Sequence, residues 1–168
     1  MASFKATSEV IAVSATVTET APNVLTSTQI QFPLSPLDNE IFIILQVDMD
    51  PDDPELIANT ATTCAATLSV VPRTTIGNMG DSNVVAASIK RVRAAAGLTC
   101  AVQFNDSNPD GTSPGMKYLA VLATDDMFLN LQGGNNVGVT SAHCRIFGYR
   151  AKATSAIYAA LVQSELLS

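Results

Sequence analysis

The densest chemistry in this sequence lies in the run Asp48-Met49-Asp50-Pro51-Asp52-Asp53-Pro54-Glu55. Carboxylates at alternating positions of a short loop are how a hard cation such as calcium collects oxygen ligands. The run begins like an EF-hand loop and then departs from it. Its sixth position is Asp53 where that motif needs glycine, and its twelfth is Asn59 where it needs a bidentate glutamate. An EF-hand is excluded. Two readings stay open: a looser calcium site made by Asp48, Asp50, Asp52, Asp53 and Glu55, shared across a subunit interface, or a solvated acidic turn. Asp125-Asp126 reads as turn chemistry, and no other cofactor is implied.

His143 is the single histidine, so histidine-based acid-base chemistry would have to use it. On a strand its neighbour Cys144 points to the opposite face, which rules out a dyad. Ser141 shares its face, but same-face neighbours on a strand lie roughly 7 Å apart, too far for a nucleophile to bond its base directly. No GxSxG elbow, phosphate loop or dinucleotide fingerprint occurs. The chain therefore reads as non-enzymatic, with a structural or interface histidine.

The net charge of −6 argues against general nucleic-acid binding, although it is unevenly spread. Residues 1 to 72 hold one base and nine acids, a net of −8; residues 73 to 168 hold eight bases and six acids, a net of +2. Halves of opposite sign can attract neighbouring copies or present a basic side to nucleic acid. Six of these nine bases, Lys90, Arg91, Arg93, Arg145, Arg150 and Lys152, form the inventory for such contacts. Arg91 and Arg93 share one strand face, and His143 and Arg145 another, so either pair can reach phosphate or a partner's carboxylate. Only Phe147 and Tyr149 lie nearby to stack on bases, and inter-subunit salt bridges are the preferred account.

Cys64, Cys100 and Cys144 form no CxxC pair and are odd in number, which speaks against zinc, iron-sulfur clusters and a disulfide framework. Cys64 and Cys100 sit among apolar neighbours and read as buried thiols. The first residues, MASFKATSEV, lack an apolar core, and the run Ile41 to Leu45 is too short to span a bilayer. The expectation is a chain without secretory processing or a transmembrane segment. The sequon Asn105-Asp106-Ser107 then carries no glycan.

The elements that must position these residues are nearly all strands. Ser8 to Thr20 alternates Ile11, Val13, Ala15 and Val17 with Ser and Thr, and Val24 to Phe32 repeats the pattern until Pro33 ends it. Glu40 to Asp48 is apolar on both faces through Leu45, as is Tyr118 to Ala123, so both are expected inside a sheet. Thr60 to Val71 turns Cys64, Ala66, Leu68 and Val70 inward. Val84 to Ala94 and Leu98 to Asn105 read as a hairpin joined near Gly97, with a helix over 84–96 as the alternative on propensity. Asn105 to Gly115 is a turn-rich loop. Met127, Leu129 and Leu131 alternate inward, and Gly133-Gly134-Asn135-Asn136 predicts a hairpin into the long strand that ends at Lys152. From Thr154 to Leu167 the period changes: Ile157, Tyr158, Leu161 and Val162 make the stripe of a helix that must dock on something.

These elements predict one all-β domain over residues 1–168, an antiparallel two-sheet sandwich of jelly-roll type with a short C-terminal helix. At this length a core needs neither metal nor disulfide. Aromatics are 5% and charged residues only 14%, against about 25% in a typical domain, so much of the surface is suited to meeting another surface.

The order of strands, the long loops between some of them, and the last strand, HCRIFGYRAK, followed by a short helix, resemble a single jelly-roll virion protein. That resemblance implies a capsid or other virion subunit located in the virion, its edges and loops meeting identical copies or other virion proteins, without catalysis. It carries over no functional residue, and a cytoplasmic location is the alternative. A ligand-binding sandwich such as a carbohydrate-binding module is the competing function. Without tryptophan and with three tyrosines the chain lacks an obvious aromatic platform for it. A hydrolase using a cation at Asp48 to Glu55 would need further ligands from elsewhere.

Overall fold

A computed structural model describes residues 4–95, 98–105 and 116–167. Among these residues ten strands and one α-helix follow in order, with a short 3-10 helix (Pro36–Asp38) before β4: β1 (Lys5–Ala6), β2 (Ile11–Thr18), β3 (Thr26–Gln31), β4 (Glu40–Pro51), β5 (Thr62–Ser69), β6 (Val84–Ala95), β7 (Leu98–Asn105), β8 (Ala120–Leu122), β9 (Asp126–Gly134), β10 (Ser141–Lys152) and α1 (Ser155–Leu167). The first sheet runs β1-β10-β4-β8, with β2 also paired to β10, and the second runs β3-β9-β5-β6-β7. Every pairing is antiparallel.

The pairs are nested. β5 pairs with β6, β4 with β8, β3 with β9 and β2 with β10, and successive pairs fall alternately in the two sheets. A long antiparallel ribbon rolled up in this way is a jelly roll. The alternation expected from the sequence drives the rolling, because each strand has one apolar side to hide. Val17, Ile30, Phe42, Ile44, Leu68, Leu122, Met127, Leu129, Leu131 and Ile146 meet between the sheets in one buried cluster.

β4 carries an irregularity that divides the outward face of the first sheet. Gln46 opposes Phe147 while Ile44 opposes Gly148, so Leu45 is an extra residue in β4, a β-bulge. Before the bulge Phe42 and Ile44 face the core and Ile41 and Ile43 face outward; after it Val47 and Met49 face the core. Gln46, Asp48 and Asp50 then take the outward side. Glycine is required opposite the bulge, because a Cβ on Gly148 would overlap the carbonyl oxygen of Ile43 and the ring of Phe42.

Helix α1 lies over the outward side before the bulge. Tyr158, Leu161 and Val162 pack on Ile41, Ile43, Ala123 and Ala151 in a second buried cluster. The helix therefore docks on its own sheet. Its buried Glu165 reaches back to the turn after β8, where one carboxylate oxygen accepts the Ala123 N–H at 2.6 Å and the other accepts the Thr124 N–H at 2.9 Å.

Four expectations need correction. Gly133 to Asn136 does not close a hairpin: β9 lies in the second sheet and β10 in the first, and the chain between them crosses the sandwich. Glycine and asparagine permit a turn, here Asn135 at φ 58°, but they do not choose the partner strand. The Tyr118 to Ala123 stretch is not mid-sheet. It supplies only β8, at a sheet edge, and reads apolar on both faces because Ala120 and Leu122 face the core while Val121 faces the helix. Asp48 to Glu55 is not all turn, since β4 runs through Pro51. The helical alternative over 84–96 is also wrong, because β6 and β7 pair as a hairpin. Residues 106–115, where a turn-rich loop was expected and which include Asp106 and Ser107 of the sequon, lie outside the described residues.

Candidate functional site

The five acidic residues proposed as cation ligands diverge. Asp48 Oδ1 accepts a hydrogen bond from Gln46 Nε2 at 2.6 Å. Asp50 and Asp53 pair with Lys90, whose Nζ lies 3.6 and 3.0 Å from them. Asp52 Oδ2 accepts the Ser141 N–H at 2.7 Å, and Glu55 accepts the N–H groups of Val137 at 2.6 Å and Gly138 at 3.0 Å. Among the described residues no group of three or more His, Cys, Asp or Glu is placed to hold a metal ion. Partial burial alone would lower the Lys90 pKa, but the carboxylates of Asp53 and Asp50 outweigh it and the value is raised.

Asp52 and Glu55 instead belong to a set of polar groups that tie down the crossover between β9 and β10. Glu19, buried, accepts the Gly133 N–H at 2.7 Å and the Thr140 N–H at 2.9 Å. Asn136 accepts the Glu55 N–H and donates to the Thr63 carbonyl, while Asn23 both donates to the Asn136 carbonyl and accepts its N–H. Carboxylates on backbone N–H groups form charge-assisted bonds, so the crossover is held at many points. Glu19 and Asn23 give no local signal of this in the sequence, because their partners lie more than a hundred residues away.

The loops fixed in this way carry apolar side chains into solvent. Val137 is 77% exposed, Leu56 68%, Val139 51% and Val24 45%. Each adjoins a residue of the polar network, so all four stand at one end of the sandwich.

The outward face of the first sheet beyond the bulge is different again. Cross-strand registry places Ser14, Arg145 and Asp48 in one row and Thr16, His143 and Asp50 in the next. Thr16 Oγ1 lies 3.0 Å from His143 Nδ1, and Arg145 Nε donates to Ser14 Oγ at 3.4 Å. These residues line an open groove of about 550 Å³. The same-face spacing of Ser141, His143 and Arg145 was legible from strand periodicity, whereas the opposite rows from β2 and β4 were not. Cys144 points the other way into the core, where burial pushes its thiol up to about 11 and a backbone hydrogen bond with Ala15 only partly opposes this. Cys64 is buried likewise, and burial raises its thiol too.

The remaining cations are dispersed. Arg91 and Arg93 stand on the outward face of the second sheet beside Ala65, Ile76 and Ile89. Lys152 pairs with Asp38 at 3.0 Å, and Arg150 reaches the Pro33 carbonyl at 3.5 Å. No helix among the described residues is long and apolar enough to cross a membrane.

Strand pairing defines the class of the protein as an all-β jelly-roll sandwich. No protein-family model, curated protein or solved structure matches the chain.

Proposed function

We propose that this chain is a non-enzymatic, self-assembling structural subunit, a capsid or other virion protein whose copies meet at the crossover end of the sandwich. The observation that supports this reading most is the pairing of exposed apolar side chains with an immobilised backbone. Val24, Leu56, Val137 and Val139 stand out from loops fixed by Glu19, Asn23, Asp52, Glu55 and Asn136. Exposed apolar patches on a soluble surface mark contact sites, and a surface already rigid loses little entropy when a partner docks. The opposite charges of the two sequence halves add nothing to this reading, because the halves interleave in both sheets and Lys90 and Lys152 meet Asp50, Asp53 and Asp38 within one chain. The wrap itself is shared with lectins and cupins, so fold class alone does not carry the reading.

Sedimentation velocity over a range of concentrations, on the wild type and on Val137→Asp with Val139→Asp, tests it. The wild type sediments as a large regular assembly, and the double variant, which changes only exposed side chains, as a folded monomer. A wild type that stays monomeric at every concentration and salt would remove the proposal.

A further inference from the structure

The groove on the outward face of the first sheet holds donors and acceptors whose outer atoms make no bond among the described residues. The geometry points to this groove as a binding site for a neutral saccharide, with Arg145 and Asp48 taking hydroxyl groups and Phe147 taking a sugar face. This site is separate from the apolar crossover loops and does not depend on copies associating.

The parts are set in place before any ligand arrives. Arg145 Nε is held by Ser14 Oγ, which leaves the two terminal amino groups of the guanidinium open as donors. Asp48 Oδ1 is held by Gln46 Nε2, which leaves Oδ2 as an acceptor. His143 Nδ1 is occupied by Thr16, which leaves Nε2 of this exposed ring as its second polar atom. Neighbouring strands lie about 4.8 Å apart and same-face residues about 7 Å apart, so these groups cover an area the size of one sugar ring. Vicinal hydroxyls, each both donor and acceptor, match a guanidinium beside a carboxylate. Phe147 does not line the groove, but it follows Arg145 on the same face of β10 and is only partly buried, so a sugar held by Arg145 could lay its C–H face against this neighbouring ring.

Charge excludes the obvious competitors. A phosphate, free or in nucleic acid, would meet Asp48 and Asp50 as well as Arg145, and a divalent cation would meet Arg145 and find no third carboxylate. Asp50 is itself offset by Lys90 at 3.6 Å. The groove is close to neutral but rich in both donors and acceptors, which suits an uncharged, hydroxyl-rich ligand.

Saturation-transfer NMR on the full chain with glucose, galactose, mannose and N-acetylglucosamine, each added alone, tests the proposal. At least one sugar receives magnetisation from the wild type, and Asp48→Asn and Arg145→Gln each weaken its binding about tenfold, the loss expected for one hydrogen bond to a charged group. Both residues face solvent, so melting temperature is the control that the variants remain folded. Transfer to none of the four sugars, equal transfer to wild type and variants, or displacement of the sugar by inorganic phosphate would each overturn it.

Discussion

The outward face of the first sheet is one surface with two fates. On one side of the Leu45 bulge, Ile41, Ile43, Tyr149 and Ala151 lie beneath helix α1. On the other, Asp48, Asp50, His143 and Arg145 lie open in rows with Ser14 and Thr16. The strands are the same β4 and β10 throughout. What differs is side-chain chemistry, and the bulge is where β4 changes the phase of its alternation. A face that is apolar must be covered, and α1 covers it. A face of matched polar residues can remain in water.

The comparison can be broken by substitution on either side. Ile43 is fully buried, so Ile43→Ala is expected to cost about 2–5 kcal/mol in urea unfolding, the range for losing a large aliphatic side chain from a core. Thr16→Ala, the matching change on the open side, should stay within about 0.5 kcal/mol. Equal costs would mean that the two halves are not energetically distinct.

Glu165→Gln sharpens the role of the helix. The carboxylate accepts the Ala123 and Thr124 N–H groups and the Thr124 hydroxyl, whereas an amide has one acceptor and turns an N–H₂ toward the remaining donors. A loss of about 1–3 kcal/mol is expected, with faster amide exchange at Ala123 and Thr124. Unchanged exchange there would show that the helix does not hold the turn.

A further effect appears only at alkaline pH. The Cys144 thiol titrates at about 11 when folded, against an ordinary value of 9.0, because burial disfavours the thiolate. Below pH 9 both folded and unfolded chains keep the proton and the contribution is intact. Between pH 9 and 11 the unfolded chain ionises first, so stability falls as pH rises through this window. Cys144→Ala should flatten that part of the stability curve; an identical slope in the variant would assign it elsewhere.

Much of the sandwich was legible from the sequence because local alternation reports which side of a strand is buried. Cys64, Ala66 and Leu68 on β5, and Met127, Leu129 and Leu131 on β9, face the core as their spacing requires. The C-terminal stripe of Tyr158, Leu161 and Val162 likewise announced a helix with something to cover. Partner choice was not legible. Gly133 to Asn136 signalled a change of direction, yet the strand that follows joins the other sheet. The acidic run looked like a cation loop because its carboxylates are close in sequence; strand geometry and distant N–H partners separate them in space. The groove was half visible, since β10 supplied His143 and Arg145 at strand spacing, while the rows from β2 and β4 depend on a registry that no local pattern encodes.

Assembly through the crossover end is the central claim, and amide hydrogen exchange on dilute and concentrated wild-type protein tests it most directly. Protection that rises with concentration at Leu56 and across Val137 to Thr140, but not along the open rows of β2 and β10, is the predicted result. Exchange at the crossover that is independent of concentration, in a protein whose mass does not grow, would contradict it.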